Sequence, residues 1–196
     1  MAKRSNKHVP GDALPVQTMT DMFGNAVVLT PTAGWTHLQF LRFAGCPICN
    51  LHLRAFTARK DEITAAGITE VLVFHSTPDE LTKYQAELPF STVPDPDKQF
   101  YELFGVEKSA RAIANPKVWG SVVKGVAADT RRATRGEAPM PPVKPRGGEL
   151  GLPADFIIGP DGNILNCHYG THAGDQWSVD VVLELARLAD TASTHE

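Results

Sequence analysis

A proline separates two cysteines at Cys46-Pro47-Ile48-Cys49, with a β-rich apolar stretch before them and helical periodicity after them. No other feature limits the fold of this chain as strongly. Proline at the first helical position gives up only an N–H that had no partner, so a helix is expected to start here. Trp35–Ala44 reads as the strand ahead of it, and Leu51, Leu53, Phe56 and Ile63 carry the helix to a stop near Gly67. A strand that delivers a cysteine to a helix mouth puts its sulfur where free N–H groups and the helix dipole stabilise a thiolate. Cys49 follows one turn later on the same face, within reach of a disulfide. Cys46 is therefore the expected attacking thiol and Cys49 the resolving one; the plain alternative is two small buried residues that happen to be close. The redox reading requires a Cys46 sulfur that is ionised near neutrality and open to solvent.

The rest of the pattern is consistent with such a strand–helix unit. After a turn at Phe23–Asn25, Val27–Leu29 is a short apolar piece. Glu70–Phe74 is a second strand, and Thr77-Pro78-Asp79-Glu80 supplies a capping box for a helix holding Leu81, Tyr84 and Leu88. Phe90–Val93 reads as a strand and Lys98–Phe104 as a short helix closed by Gly105. This alternation predicts a largely parallel sheet sandwiched by helices. Ala154–Ile158 and Ile164–Tyr169 form a hairpin around Asp161-Gly162, and Trp177–Leu188 a final amphipathic helix. Residues 1–12 read as a flexible arm, and 13–196 as one domain with an insertion at about 108–150. In that insertion Ile113, Val118, Trp119, Val122, Val123 and Val126 suit an amphipathic helix only loosely. Residues 137–151, with four prolines and three glycines, read as an irregular loop.

Charge narrows the classes of partner. Lys plus Arg is 19 against 22 for Asp plus Glu, a net charge of -3, which offers no general footprint for nucleic acid or an anionic membrane. No apolar run reaches the roughly 18 residues of a membrane helix. Met1–Pro10 is basic, but no apolar stretch follows it as in a secretory signal, so a cytoplasmic location is expected. Three cysteines are too few for a disulfide scaffold or a four-cysteine iron–sulfur cluster.

Gly11-Asp12-Ala13-Leu14-Pro15 and Asp21-Met22-Phe23-Gly24-Asn25, followed by Cys46-Pro47-Ile48-Cys49 after a strand and by the Pro153 hairpin, carry a family resemblance. The chain resembles the thioredoxin fold in its peroxiredoxin-like (AhpC/TSA, redoxin) form, over about residues 10 to 188 apart from 108–150. The resemblance implies an α/β three-layer sandwich with a central mixed sheet and flanking helices. It also implies a peroxidatic or redox-active Cys46, reduction of hydroperoxides or protein disulfides, and a cis Leu152–Pro153 bond packed beside the active cysteine. The chain departs from the family at two positions. Gln39 and Phe43 stand where peroxiredoxins place a proline and a Thr or Ser, so the hydroxyl that helps hold peroxide is missing. What remains fits a branch closer to thioredoxin and glutaredoxin in its chemistry.

In this topology the second hairpin strand brings His168–Trp177 back to the active-site edge. His172 is a candidate for proton transfer or thiolate stabilisation with Asp175 as its orienter; the alternative has Asp175 capping the last helix and His172 facing solvent. Arg42 and Arg54 are the nearest cations in sequence, and Arg42, Pro47, Asp175 and Trp177 are candidate substrate contacts. His75 closes the second strand. Cys167 should point away from His168 into an apolar setting. Lys124, Arg131, Arg132, Arg135, Lys144 and Arg146 form a locally basic region, by default a solvated one.

The expected function is a thiol–disulfide oxidoreductase with no bound cofactor or metal. Its expected partners are a thioredoxin- or glutathione-type donor and a peroxide or protein disulfide substrate, with a homodimer left open. The alternatives are a non-catalytic thioredoxin-fold binding module, or a zinc protein using Cys46, Cys49 and Cys167 or a histidine, although a second Cys-x-x-Cys or spaced His pair is lacking.

Overall fold

The computed structural model describes residues 7–106, 116–140 and 151–193. Thr18–Thr20 (β1) and Ala26–Val28 (β2) pair as an antiparallel hairpin. Trp35–Phe40 (β3), Ile68–Phe74 (β4), Ser91–Pro94 (β5), Ala154–Ile158 (β6) and Ile164–Tyr169 (β7) form one mixed sheet in the order β5-β4-β3-β6-β7. β3, β4 and β5 run parallel, and β6 and β7 continue the sheet antiparallel. Pro47–Ala58 (α1), Lys60–Ala65 (α2), Pro78–Gln85 (α3), Gln99–Leu103 (α4), Pro116–Thr134 (α5) and Val179–Ser193 (α6) complete the α/β fold.

Central β3 is buried at every residue and its pleat sorts two cores. On one face Leu38 and Phe40 join Phe104, Phe156, Tyr101 and Val73. On the other, Trp35 packs with Phe56, Ile63 and Val182, and Leu72 joins Leu41, Leu53 and the two cysteines.

Several expected boundaries shift for local reasons. β3 ends at Phe40 and not at Ala44, because Cys46 N–H donates to the Phe43 carbonyl across a turn in which Gly45 has φ 77°. The helix after Cys46 does not run unbroken to Gly67: Arg59 leaves helical geometry at φ -116°, ψ 21°, its side chain paired with Glu62, and the helix restarts as α2. The last helix starts at Val179 and not at Trp177, with the Ser178 hydroxyl accepting from Val181 N–H. The expected flexible arm is tied down along its last residues: His8 N–H donates to the Tyr169 hydroxyl, and Gly11 and Asp12 exchange backbone bonds with Ile164. The loosely patterned stretch holds α5, whose Val123 and Val126 are exposed; Ile113 lies outside the described residues. Of the basic region, Arg132 approaches Glu87 and Glu137 at 3.9 and 3.8 Å, and Lys144 and Arg146 lie outside the described residues.

Candidate functional site

α1 begins where the sequence places it. Cys46 is its N-cap in extended geometry (φ -64°, ψ 118°) and Pro47 opens the first turn. The cap sulfur sits over free donors, as a helix N-terminus dictates. It accepts from the Ile48 and Cys49 N–H groups and from the Cys49 thiol, and Arg42 Nη1 donates to it at 3.6 Å. Burial acts to raise the Cys46 pKa, but the Cys49 hydrogen bond, the Arg42 charge and the two N–H groups outweigh it and lower it to about 7. Cys49 goes the other way: burial raises its pKa well above the ordinary thiol value, and the partner sulfur adds to that rise. The pair is reduced, with a poised sulfur at 46 and a proton-holding one at 49.

One requirement of the redox reading is not met as expected. Cys46 is 0% exposed and Cys49 is 1% exposed. Leu41, Phe43, Ala44, Ile48 and Leu53 wall them in, and Ala173 of the returning segment packs into the same cluster. The sulfur is ionisable but closed, because apolar groups cover it on both flanks of the helix mouth.

The expected return of the 168–177 segment is seen in Ala173, which packs into the dithiol cluster, and in Gly174, where an added Cβ would meet Ile48 at 3.7 Å. The proposed pairing inside it is different. Asp175 does not orient His172: its carboxylate accepts from the Thr171 N–H and hydroxyl at 2.7 Å and faces His168 Nε2 at 3.1 Å. His172 Nδ1 instead accepts from Gly174 N–H at 3.3 Å. Nor does Asp175 cap the last helix, a role that falls to Ser178. The Trp177 ring turns inward, stacked between His37 and His168, and the Trp177 backbone N–H donates to Asp155 at 3.3 Å. Leu152–Pro153 is trans, the isomer X–Pro bonds favour by default; Pro153 is buried at the start of β6, and its carbonyl accepts from Gly170. Cys167 faces the opposite side from the dithiol, donating to the His8 carbonyl and packed against the Phe156 core. His75 is buried, with its ring edge-on to Phe43 and Tyr101. Among the described residues no group of three His, Cys, Asp or Glu is arranged to hold a metal.

Arg54 does not face the sulfurs. It pairs with Asp129 of α5, which also accepts from Asn50 at 2.9 Å. Asp129 is 4% exposed, so this pairing ties α5 onto α1. The close approach is made at Gly125, where a Cβ would lie 2.5 Å from the Pro47 carbonyl oxygen. Gly125→Val is therefore expected to push α5 off α1 and cost about 1–3 kcal/mol, read as a lower denaturant midpoint; unchanged stability would remove the clasp. A cavity of about 580 Å³ lies beside this junction, lined by Gly45, Asn50, Leu53, Arg54, Tyr84 and Asp129.

A belt of polar groups crosses the sheet beneath α1. Fully buried His37 places Nδ1 2.9 Å from Glu70 Oε2 and Nε2 3.5 Å from Asp155 Oδ1. Gln39 donates to Glu70 at 2.8 Å, so its Oε1 is left to accept from His52 Nε2 at 2.9 Å. Burial alone would lower the His37 pKa, but the two carboxylates raise it to about 9. Burial and the His37 charge outweigh Asp155 at His52 and lower its pKa to about 4. The signal for the belt was His37 and Gln39 two apart in an apolar strand, both on one face.

A model of the AhpC/TSA antioxidant enzyme family matches residues 55–172, beginning beyond both cysteines of the pair. No curated relative matches the chain. Solved structures with the same fold include peroxidoxin BcpB of Mycobacterium tuberculosis, at 14% identity and TM-score 0.63 over 92% of this chain and 97% of that one. Peroxiredoxin 6 of Arenicola marina aligns at 14% identity and TM-score 0.65 over 94% and 75%. Peroxiredoxin Q of Xanthomonas campestris aligns at 14% identity and TM-score 0.55 over 96% of each chain.

Proposed function

Because the chain belongs to the AhpC/TSA antioxidant enzyme family, with a peroxiredoxin-like thioredoxin fold, we propose that it is a thiol–disulfide oxidoreductase working through Cys46 and Cys49. The observation that carries this is the asymmetry of the pair: a Cys46 sulfur lowered toward neutrality by Arg42 and helix N–H groups, beside a Cys49 that keeps its proton. In the first step the Cys46 thiolate attacks a substrate sulfur, the S–S bond breaks and a thiolate leaves. Cys49 then loses its proton and attacks Cys46, closing the intramolecular disulfide and releasing the second substrate thiolate. With a hydroperoxide the first product is a Cys46 sulfenic acid and an alcohol or water, and Cys49 expels water from it. A thioredoxin- or glutathione-type donor resets the pair.

Disulfides are the better substrate in this reading. Phe43 stands where a peroxide-holding hydroxyl would be, packed under the Arg42 guanidinium at 5.3 Å, and it donates nothing to a peroxide oxygen. No helix among the described residues is long and apolar enough to cross a membrane.

Since both sulfurs are covered, reaction has to follow an opening of the Phe43–Ile48–Ala173 wall. The rate of alkylation should accordingly level off with rising iodoacetamide, at the opening rate. A strictly linear rise to high reagent means an accessible sulfur. The functional test compares second-order rates of the reduced protein with hydrogen peroxide and with insulin disulfides, followed by intact mass. Loss of two hydrogens at Cys46 and Cys49, with the disulfide reacting faster, is expected. Thiols inert to both oxidants would leave a non-catalytic binding module as the reading.

A further inference from the structure

The Cys46–Arg42 contact is long for a hydrogen bond to sulfur, at 3.6 Å, and its effect depends on where the guanidinium is aimed. Arg42 lies just past the end of β3, where backbone pairing to β4 runs on through Leu41 N–H to the Val73 carbonyl at 2.8 Å. The peptide groups on either side of Arg42 are both pinned. The Leu41 carbonyl, which shares a peptide plane with the Arg42 N–H, accepts from the Tyr101 hydroxyl. The Arg42 carbonyl accepts from His75 N–H at 3.1 Å. Tyr101 also reaches the Val73 carbonyl of the neighbouring strand at 3.1 Å, so one phenol bridges the ends of β3 and β4.

Tyr101 is itself held firmly. It is 4% exposed, its N–H donates to Asp95 at 3.2 Å, and its ring meets Phe40 and His75 edge-on at 5.0 and 5.7 Å. Gly151 closes the other side: a Cβ there would lie 3.0 Å from His75 Nε2 and 3.7 Å from Arg42 Cγ. The bare backbone of residue 151 thus roofs the arginine stem and the histidine that fixes its carbonyl.

We propose that Tyr101 is a positioning residue for the dithiol, its hydroxyl and the bare backbone of Gly151 together holding Arg42 in line with the Cys46 sulfur. This deepens the oxidoreductase reading above and rests on the same site. Tyr101 makes no hydrogen bond to either sulfur; it acts through the Leu41–Arg42 peptide. Coulomb attraction falls inversely with distance, so an arginine that drifts by about 1 Å gives up roughly a quarter of its hold on the thiolate.

The test titrates Cys46 by thiolate ultraviolet absorbance in full-length reduced protein with Cys49 replaced by serine, so that one thiol of the pair reports. Tyr101→Phe is expected to raise the midpoint by about a quarter to half a pH unit. Gly151→Ala should move it in the same direction by crowding His75 and Arg42. Tyr169→Phe is the control, because it removes another phenol bound to a carbonyl, that of Phe104 at 2.8 Å, which does not flank Arg42. It should lower stability without moving the midpoint. Equal midpoints in Tyr101→Phe and the parent overturn the proposal, as does an equal shift in Tyr169→Phe. Should Tyr101→Phe fail to fold, Gly151→Ala decides alone. The titration needs no turnover, so a protein inert toward disulfides would sink the oxidoreductase reading and leave this result standing.

Discussion

Replacing Arg42 by methionine is expected to move the ionisation of Cys46 upward by about one to two pH units, from the neighbourhood of 7 toward that of an ordinary thiol. Methionine keeps the buried stem and removes the charge that sits 3.6 Å from the sulfur. At pH 7 the thiolate fraction then falls from about one half to somewhere between a tenth and a hundredth. The rate should fall by less, because a thiolate of higher pKa is a stronger nucleophile, with a Brønsted slope of about 0.4–0.5. The two effects leave a loss of about two- to sixfold at pH 7. Above about pH 10, where both proteins are fully ionised, the variant should react faster than the parent. Stopped-flow disulfide exchange at low reagent, over a pH series, checks this crossing. A variant slower by one constant factor at every pH would mean that Arg42 binds substrate or supports the wall, and that its charge does not set the thiolate.

The largest loss of stability is expected from Glu70→Ala. Glu70 and His37 face each other in register on β4 and β3, both essentially closed to solvent. Removing Glu70 takes the nearer of two carboxylates from the buried His37 and leaves it only Asp155 at 3.5 Å, at a cost of about 3 kcal/mol. The same pair predicts a pH window. His37 has a folded pKa of about 9 against an ordinary 6.5, a raised value. Its stabilisation is therefore complete below about pH 6.5 and lost as pH rises through 9, on the order of 3 kcal/mol in all. His52, lowered to about 4, works in the opposite sense: its neutral form is the folded one, so its contribution is present above pH 6.5 and lost as pH falls through 4. Glu70, Gln39 and Asp155 are the groups facing His37 across β4, β3 and β6, and His52 reaches the belt from α1. Guanidinium unfolding at pH 7 and pH 10 should show the alkaline loss in the parent and a smaller one in Glu70→Ala. Equal stability of variant and parent at pH 7 would mean that the belt holds no charge.

Most elements were legible because their signals are local. The proline at 47, the capping box at Thr77–Glu80 and the Asp161-Gly162 turn each act within four residues, and each stands where the pattern puts it. α5 was only loosely legible for a physical reason. At Gly125 and Asp129 the helix meets α1 through a bare backbone and a carboxylate, so its packing does not register as hydrophobic periodicity. The loop after β7 was misread in its detail. Its return to the site followed from topology, but whether Asp175 meets His168 or His172 depends on a loop conformation that no short-range pattern encodes.

The order of residues along the chain determined the motif itself: a cysteine, a proline and a second cysteine at a strand-to-helix junction, with a spacing that sets both sulfurs at the helix mouth. Only the folded molecule decided how that pair is governed. Arg42 gains its aim from Tyr101 and Gly151, 59 and 109 positions downstream, and the cover over both sulfurs is completed by Ala173. Contacts of that range depend on loop closure and on the packing of separate layers, which leave no period in the sequence to be read.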